Sequence, residues 1–244
     1  LGLLQAAEIE DLGARLDRVA DHLARTGAAE LPAVVAFPAV AAPAIPPLLA
    51  GKRVAIARDA AYGFLYPANI DTLRALGAEL AFFSPLAGEG LPTQCDAVWL
   101  PGGYPELHGA ALAANAGLWT DLRAHVAAGK PVLAECGGLM SLLEAIVDKA
   151  GVEHAFAGLL PGRAVMQPRL AALGLQEVDL PGGRLSGHTF HYSRTETPLA
   201  PWLHARRPDG GEGEAIYRCG PIIASYVHFW FPSNPVAAAG LFGA

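Results

Sequence analysis

Runs of apolar residues bounded by turn residues divide the middle of the chain into predicted strands and helices. Four short apolar runs have the length of buried strands: residues 53–59, 79–86, 96–103 and 130–138. Three further segments have helical patterns, and the first two close with a glycine: residues 67–78, 108–129 and 138–150. Strands that alternate with helices predict an α/β fold with a parallel sheet core and helices on both faces.

The two ends of the chain have different patterns. Residues 151–244 contain several short runs typical of strands, which predict a more β-rich carboxyl-terminal part. Residues 31–51 are rich in proline and alanine and are interpreted as a linker. In residues 4–26, apolar side chains recur every three to five positions, which predicts an amphipathic helix with this apolar face: Leu4, Ile9, Leu12, Leu16, Val19 and Leu23.

These patterns predict three parts of the chain. A lone amphipathic helix before a linker has no partner for its apolar face, so residues 1–30 are interpreted as the terminal helix of a truncated domain. Residues 31–51 form the linker, and residues 52–244 form the α/β domain.

Composition and charge narrow the class of protein. The 244 residues are 52% hydrophobic and 16% charged, as in a globular protein, and the net charge of −6 disfavours a nucleic-acid partner. No apolar run reaches the roughly 20 residues that span a bilayer, and no signal peptide is recognisable. The odd number of cysteines, three, indicates a reducing compartment, so we expect a cytoplasmic protein with no membrane partner.

Cys136 lies where the fourth predicted strand turns into a helix, in the sequence VLAECGGLM. This is the position of a nucleophile elbow, whose side chain faces the ligand-binding edge of an α/β sheet. The small residues Ala134 and Gly138 suit the cramped turn, and the amino terminus of the following helix is expected to favour the thiolate. The alternative is a buried, unreactive cysteine, which is our interpretation of Cys95 and Cys219.

A nucleophilic cysteine needs a base, and His228 in the sequence IIASYVHFWF is the candidate. It lies near the end of an apolar strand, on which Tyr226 and Trp230 share its face. The alternative is a half-buried structural histidine.

The other histidines do not predict a metal site. His188 and His191 have an H-x-x-H spacing, but in a strand they point to opposite faces and cannot share a metal ion. His125 and His154 are interpreted as surface residues of a helix and a loop.

A glycine-rich turn, PGGYPE, follows the third predicted strand and contains Gly102 and Gly103. Glycines in such a turn let backbone N–H groups face a ligand, and together with the N–H of Gly137 they could hold a tetrahedral oxyanion. A plain turn or a phosphate-binding loop would fit the same pattern. The G-x-x-x-x-G-K-[ST] pattern of a P-loop does not occur in the sequence.

These segments in this order resemble the carboxyl-terminal, class I glutamine amidotransferase domain of the cobyrinic or hydrogenobyrinic acid a,c-diamide synthases. The resemblance covers about residues 52–235 and rests on the motifs LPGGYPELHG, AECGGLM, GHTFHYSR and SYVHFWF. It implies that the domain hydrolyses glutamine. The ammonia would then amidate the ATP-activated a and c carboxylates of a corrinoid in cobalamin biosynthesis.

The resemblance also implies roles for individual residues. Cys136 would attack the glutamine carboxamide, and His228 would take the thiol proton and later protonate the departing ammonia. The backbone N–H groups of Gly103 and Gly137 would hold the oxyanion. Three residues match the segment that often holds the α-carboxylate and α-amino groups of glutamine: His191, Tyr192 and Ser193.

The sequence departs from most class I amidotransferases at Trp230, where those proteins carry an acid two positions after the histidine. The resemblance to the corrinoid-amidating group implies a catalytic Cys–His dyad without a third, acidic residue, so the loss of the acid is expected here. No cofactor or metal is expected in this chain. The resemblance places ATP, Mg and the corrinoid in a synthetase domain outside it, and a homodimer is one option for its assembly.

Three other functions fit parts of the pattern. The chain could belong to another amidotransferase of the superfamily, such as a cobyric acid synthase or a cell-wall amidating partner. It could be a non-catalytic domain kept for assembly with a synthetase. A general α/β hydrolase or a redox-sensing thiol domain would also carry a cysteine at this turn.

Overall fold

The computed structural model describes residue 6 and residues 9–38 and 44–244, and it divides into two compact units, Leu1–Pro43 and Ala44–Ala244. In the first unit, helix α1 spans Leu12–Arg25 and has no buried residue. Its apolar stripe is open to solvent, since the side chains of Leu16, Val19 and Leu23 are all exposed. The amphipathic helix is therefore confirmed over these residues, while Leu4 of the predicted stripe lies outside the described ones.

The second unit contains the α/β fold. Its strands are β1 Arg53–Ala57, β2 Glu79–Phe83, β3 Ala97–Leu100, β4 Val132–Glu135, β5 Ala145–Val147, β6 Glu153–Ala155, β7 Arg163–Met166, β8 Ala172–Leu180, β9 Gly183–His191, β10 Ser193–Glu196, β11 Leu203–Arg206, β12 Glu212–Cys219, β13 Ile222–Ser225 and β14 His228–Phe229. Its helices are α2 Pro67–Ala75, α3 Gly109–Ala114, α4 Ala116–Ala127, α5 Gly137–Leu142 and α6 Pro235–Gly240.

The strands of this unit form two sheets. The larger sheet has ten strands among the described residues, in the order β14-β9-β8-β11-β12-β13-β4-β3-β1-β2. The pairs from β13 to β2 are parallel, and those from β13 to β14 are antiparallel. A smaller sheet has the order β10-β7-β5-β6. The predicted α/β fold with a parallel core and a more β-rich carboxyl-terminal part is confirmed.

The central parallel strands β3 and β4 are fully buried, because both faces of the sheet are covered there. Along β4, Val132 and Ala134 belong to one buried apolar cluster, and Leu133 belongs to another. Successive side chains of a strand point to opposite faces, so the two clusters are the cores on the two sides of the sheet. Cys136 continues the alternation into the first cluster.

Two predicted helices are shorter than the sequence pattern suggested. The segment 108–129 contains two helices, because the side chain of Asn115 accepts a hydrogen bond from Leu118 N at 3.2 Å and starts α4 anew. The predicted helix 138–150 ends at Leu142, since Leu143 is extended and residues 145–147 form β5. A short apolar run with β-branched residues does not distinguish a buried helix from a strand. None of the helices in the described part of the chain is long and apolar enough to cross a membrane.

Candidate active site

Cys136 occupies a strained turn between β4 and α5, with a φ of 48° and a ψ of −105°. A positive φ is costly for a residue with a Cβ, so the surrounding structure must hold it. Its backbone N–H donates to Ser225 O at 2.8 Å, which ties the turn to β13. A Cβ on Gly138 would lie 2.0 Å from Leu100 O, so the turn needs glycine there. The predicted strand–turn–helix setting of Cys136 is present.

The thiol of Cys136 is buried and protonated. Its S–H points toward Phe190 O, 4.0 Å away. Burial raises the pKa of the thiol far above its ordinary value, and the charge of Glu106 raises it further. The N–H of Gly137 lowers the pKa, but by less. The amino terminus of α5 therefore acts on the thiol in the expected direction, but desolvation outweighs the N–H of Gly137 and the net pKa is raised.

A cavity of about 30 Å³ adjoins Cys136. Its lining residues come from the loop after β1, the glycine-rich turn, the turn into α5, α5 itself, β7 and the segment where β9 passes into β10: Phe64, Gly103, Tyr104, Glu106, Cys136, Met140, Met166, Phe190, His191, Tyr192 and Ser193. The structure thus brings Gly103, His191, Tyr192 and Ser193 together with Cys136. The cavity has room for roughly two water molecules.

His228 opens β14 and pairs with His188 of β9. Its imidazole stacks on that of His188, with ring centroids 5.1 Å apart, and packs so closely on Gly102 that a Cβ there would lie 2.2 Å from Cε1. The side chain is buried, and burial lowers its pKa to about 3, so the ring is neutral. Its Nδ1 has no hydrogen-bond partner among the described residues. His228 does not line the cavity beside Cys136.

Two buried side chains fix the main chain that follows His228. Glu135, next to Cys136, accepts a hydrogen bond from Phe229 N at 2.8 Å. Asn69 of α2 donates to Phe229 O at 2.8 Å and accepts from Phe231 N at 2.9 Å. Sequence reasoning missed both contacts. The position of Glu135 directly before the cysteine was the one available signal, since Asn69 looked like any polar residue of a helix.

The predicted strand face of Tyr226, His228 and Trp230 is interrupted. β13 ends at Ser225 and β14 has two residues. Tyr226 is buried, while Trp230 is 43% exposed and packs on Tyr66 with ring centroids 6.2 Å apart. The three side chains therefore do not share one buried strand face.

The backbones of the two glycine turns meet beside Cys136. A Cβ on Gly137 would lie 2.8 Å from Pro105 Cδ and 3.1 Å from Gly103 N, so the two segments approach closely. A Cβ on Gly103 would lie 2.1 Å from Ala61 O, and Tyr104 N donates to that same oxygen at 3.0 Å. Both positions therefore require glycine, and they place main-chain N–H groups at the same end of the parallel sheet.

The polar groups of His191 and Ser193, at the end of β9 and the start of β10, are engaged with the protein. His191 lies with Nδ1 2.8 Å from Ser193 O and Nε2 3.0 Å from Glu214 Oε1, and its ring stacks on Tyr226. Ser193 Oγ donates to the hydroxyl of Tyr226 at 2.9 Å. Tyr192 lines the cavity, and its carbonyl oxygen accepts a hydrogen bond from a backbone N–H of the preceding loop at 2.6 Å.

The remaining histidines lie elsewhere. His125 is buried, with Nε2 3.2 Å from Pro131 O, so its interpretation as a surface residue is wrong. His154 belongs to β6 and pairs with Asp148 at 3.0 Å in a half-buried position, so it is not a loop surface residue either. Within the described ranges, no group of three or more His, Cys, Asp or Glu side chains could hold a metal ion.

Comparison with known proteins gives the family. The model of the CobB/CobQ-like glutamine amidotransferase domain matches residues 53–236. The chain belongs to this family. Hydrogenobyrinate a,c-diamide synthases of Stutzerimonas stutzeri and Pseudomonas aeruginosa are 54% and 52% identical to it over 242 residues, and the cobyrinate a,c-diamide synthase of Herminiimonas arsenicoxydans is 45% identical over 246.

Each of these alignments covers 99% of this chain, and the chain spans 55–56% of the length of the relatives. A solved glutamine amidotransferase is 21% identical, with a TM-score of 0.54 over 77% of this chain and 96% of its own. That likeness shows the shared fold.

Proposed function

We propose that this amidotransferase domain hydrolyses glutamine at Cys136 and supplies ammonia to an ATP-dependent amidation. The observation that carries the proposal is the strained turn of Cys136, which lines one cavity with the glycine backbone of Gly103, in a chain that belongs to an amidotransferase family. A sulfur at such a turn, next to main-chain N–H donors, suits nucleophilic attack on a carbonyl carbon.

The proposed reaction has two steps. The thiol proton of Cys136 passes to His228, the sulfur attacks the carboxamide carbon of glutamine, and the N–H groups of Gly103 and Gly137 hold the oxyanion. The intermediate collapses to a thioester as the nitrogen takes a proton from His228 and leaves as ammonia. Water, activated by the same imidazole, then cleaves the thioester to give glutamate and the free thiol.

The names of the similar proteins suggest which compound accepts the ammonia. They are named hydrogenobyrinate or cobyrinate a,c-diamide synthases, and this chain spans about half of their length. We propose that the ammonia amidates the a and c carboxylates of cobyrinic or hydrogenobyrinic acid in cobalamin biosynthesis. ATP, Mg and the corrinoid would bind a synthetase domain, to which residues 1–30 would belong, with residues 31–51 as a linker. The three free cysteines suit a reducing, cytoplasmic location.

Labelling of Cys136 tests the proposed chemistry. The glutamine analogue 6-diazo-5-oxo-L-norleucine should attach to Cys136 and stop ammonia release by the full-length protein. We expect Cys136→Ala to lose both labelling and activity with little change in thermal stability, whereas Cys219→Ala, which changes a half-buried free cysteine, should keep both. A protein that releases ammonia from glutamine without Cys136, or an analogue that never labels it, would refute the proposal and favour a non-catalytic assembly domain.

A further inference from the structure

Glu106 places a carboxylate in the wall of the cavity beside Cys136. It belongs to a 3₁₀ turn, Pro105–His108, that directly continues the glycine-rich turn of Gly103. The proximity to the nucleophile is also visible in the electrostatics, since the charge of Glu106 contributes to the raised pKa of Cys136. The proposed chemistry gives Glu106 no role.

The carboxylate of Glu106 has no ion-pair partner among the described residues, and its hydrogen bond is to its own backbone N–H. Burial raises its pKa to about 7. Lys149 lies near enough for its charge to lower this pKa, but its ammonium sits over the ring of Tyr192, 4.9 Å from the centroid. A half-buried carboxylate without a partner is costly unless a cation binds it.

The substrate of the proposed reaction carries such a cation. Glutamine has an α-ammonium group four bonds from the carboxamide carbon that Cys136 would attack. Its partner therefore has to line the same cavity as the sulfur, as Glu106 does. Two other polar side chains there are committed, because both ring nitrogens of His191 and the hydroxyl of Ser193 already face protein groups. The neighbouring walls are apolar and suit the methylenes of the side chain: Met140, Met166 and Phe190.

We propose that Glu106 binds the α-ammonium group of glutamine and so selects an amino-acid amide over other primary amides. This inference rests on the proposed glutaminase function of Cys136. A charge-assisted contact of this kind makes a difference of about 10- to 100-fold in kcat/KM between an amide with the ammonium group and one without it.

The test compares glutamine with glutaramate, which is the same amide without the α-amino group. In the full-length protein, kcat/KM for ammonia release should favour glutamine by about 10- to 100-fold. In Glu106→Gln this preference should fall to near one, through loss of activity on glutamine with activity on glutaramate retained. Glu106→Asp, which keeps the charge, should restore part of the preference. Lys149→Met, which removes the nearby cation, should keep it.

Each outcome has one meaning. A wild-type protein that does not discriminate between the two amides, or a Glu106→Gln variant that still prefers glutamine, overturns the assignment of Glu106. An equal loss on both amides, with the preference kept, makes Glu106 a structural residue of the turn and also overturns it. Failure of the proposed function looks different, because the wild-type protein would then release ammonia from neither amide and Cys136 would not react with the glutamine analogue.

Discussion

Replacement of Gly102 by alanine tests whether His228 acts in the chemistry. Gly102 O accepts the backbone N–H of Phe64 at 3.0 Å, and its Cα faces the imidazole. A Cβ at this position would lie 2.2 Å from Cε1 and 2.8 Å from Nδ1 of His228. The obstacle is a side chain rather than backbone, so the added Cβ displaces the buried ring against its neighbours Phe64 and His188.

The expected loss of activity in Gly102→Ala follows from the distance between the added Cβ and the imidazole of His228. Ordinary contact with a Cβ begins at 3.4 Å, so the imidazole must shift by about 1.2 Å, from 2.2 to 3.4 Å, or tilt by an equivalent amount. A misplacement of about 1 Å in a reacting group can reduce the rate about 100-fold. Overpacking of a buried site costs about 1–3 kcal/mol of stability. We therefore expect Gly102→Ala to lower kcat/KM for glutamine about 100-fold and to leave a folded protein.

The assay is the rate of ammonia release from glutamine by the full-length protein, together with the rate at which the diazo analogue labels Cys136. Gly117→Ala is the matched control, because this helical glycine has no atom nearer than 3.7 Å to its added Cβ. That variant should keep its activity and gain about 0.5–1 kcal/mol of stability. If Gly102→Ala hydrolyses glutamine as fast as the wild-type protein, His228 is not the base.

The other predictions concern buried acidic groups. Because burial raises the pKa of Cys136, iodoacetamide should alkylate its thiol more slowly at pH 7 than it alkylates an unstructured cysteine peptide, and faster as the pH rises; a fast, pH-independent rate would contradict this. Burial also raises the pKa of Glu135 from 4.5 to about 8, so the folded state holds a proton that the unfolded state releases. Its contribution to stability is complete below about pH 4.5 and declines as the pH rises toward 8. Urea unfolding should show that Glu135→Gln makes stability less dependent on pH in this interval.

The parallel half of the fold could be predicted because its central strands, β3 and β4, are buried on both faces. A strand such as β3, Ala97–Leu100, is fully buried and carries an uninterrupted apolar run, so composition alone marks it. The same reasoning failed for residues 145–147, where the apolar segment belongs to the small sheet and pairs with β7. Pairing with the distant strand β7 makes this segment a strand, and the local spacing of apolar residues carries no information about that pairing.

The setting of Cys136 could be predicted because a strand, two glycines and a helix lie side by side in the sequence. The support of His228 could not, because its contacts join distant segments. Glu135 is 94 residues from Phe229, and Asn69 is 160 residues from it. Without an acid two positions after the histidine, the main chain takes over part of the positioning. The hydrogen bonds of Phe229 fix the backbone next to His228, and the packing of Gly102 and His188 restricts its ring.

The protonation states of Cys136 and His228 depend on how deeply each side chain is buried, and no sequence pattern gives that burial. The thiol of Cys136 holds its proton because burial raises its pKa, and His228 lacks one because burial lowers its pKa to about 3. Proton transfer from sulfur to imidazole therefore runs against both shifts. A buried ion pair forms only when further charges or hydrogen bonds stabilise it.

A cavity of about 30 Å³ cannot hold glutamine, so substrate entry itself requires the walls around Cys136 to separate. That movement admits water and the substrate's own charges and dipoles, which lower the desolvation of both side chains. The ammonium of glutamine would also neutralise Glu106, whose charge opposes ionisation of the thiol. Occupation of the cavity by glutamine would therefore lower the cost of ionising the thiol, through hydration and through neutralisation of Glu106.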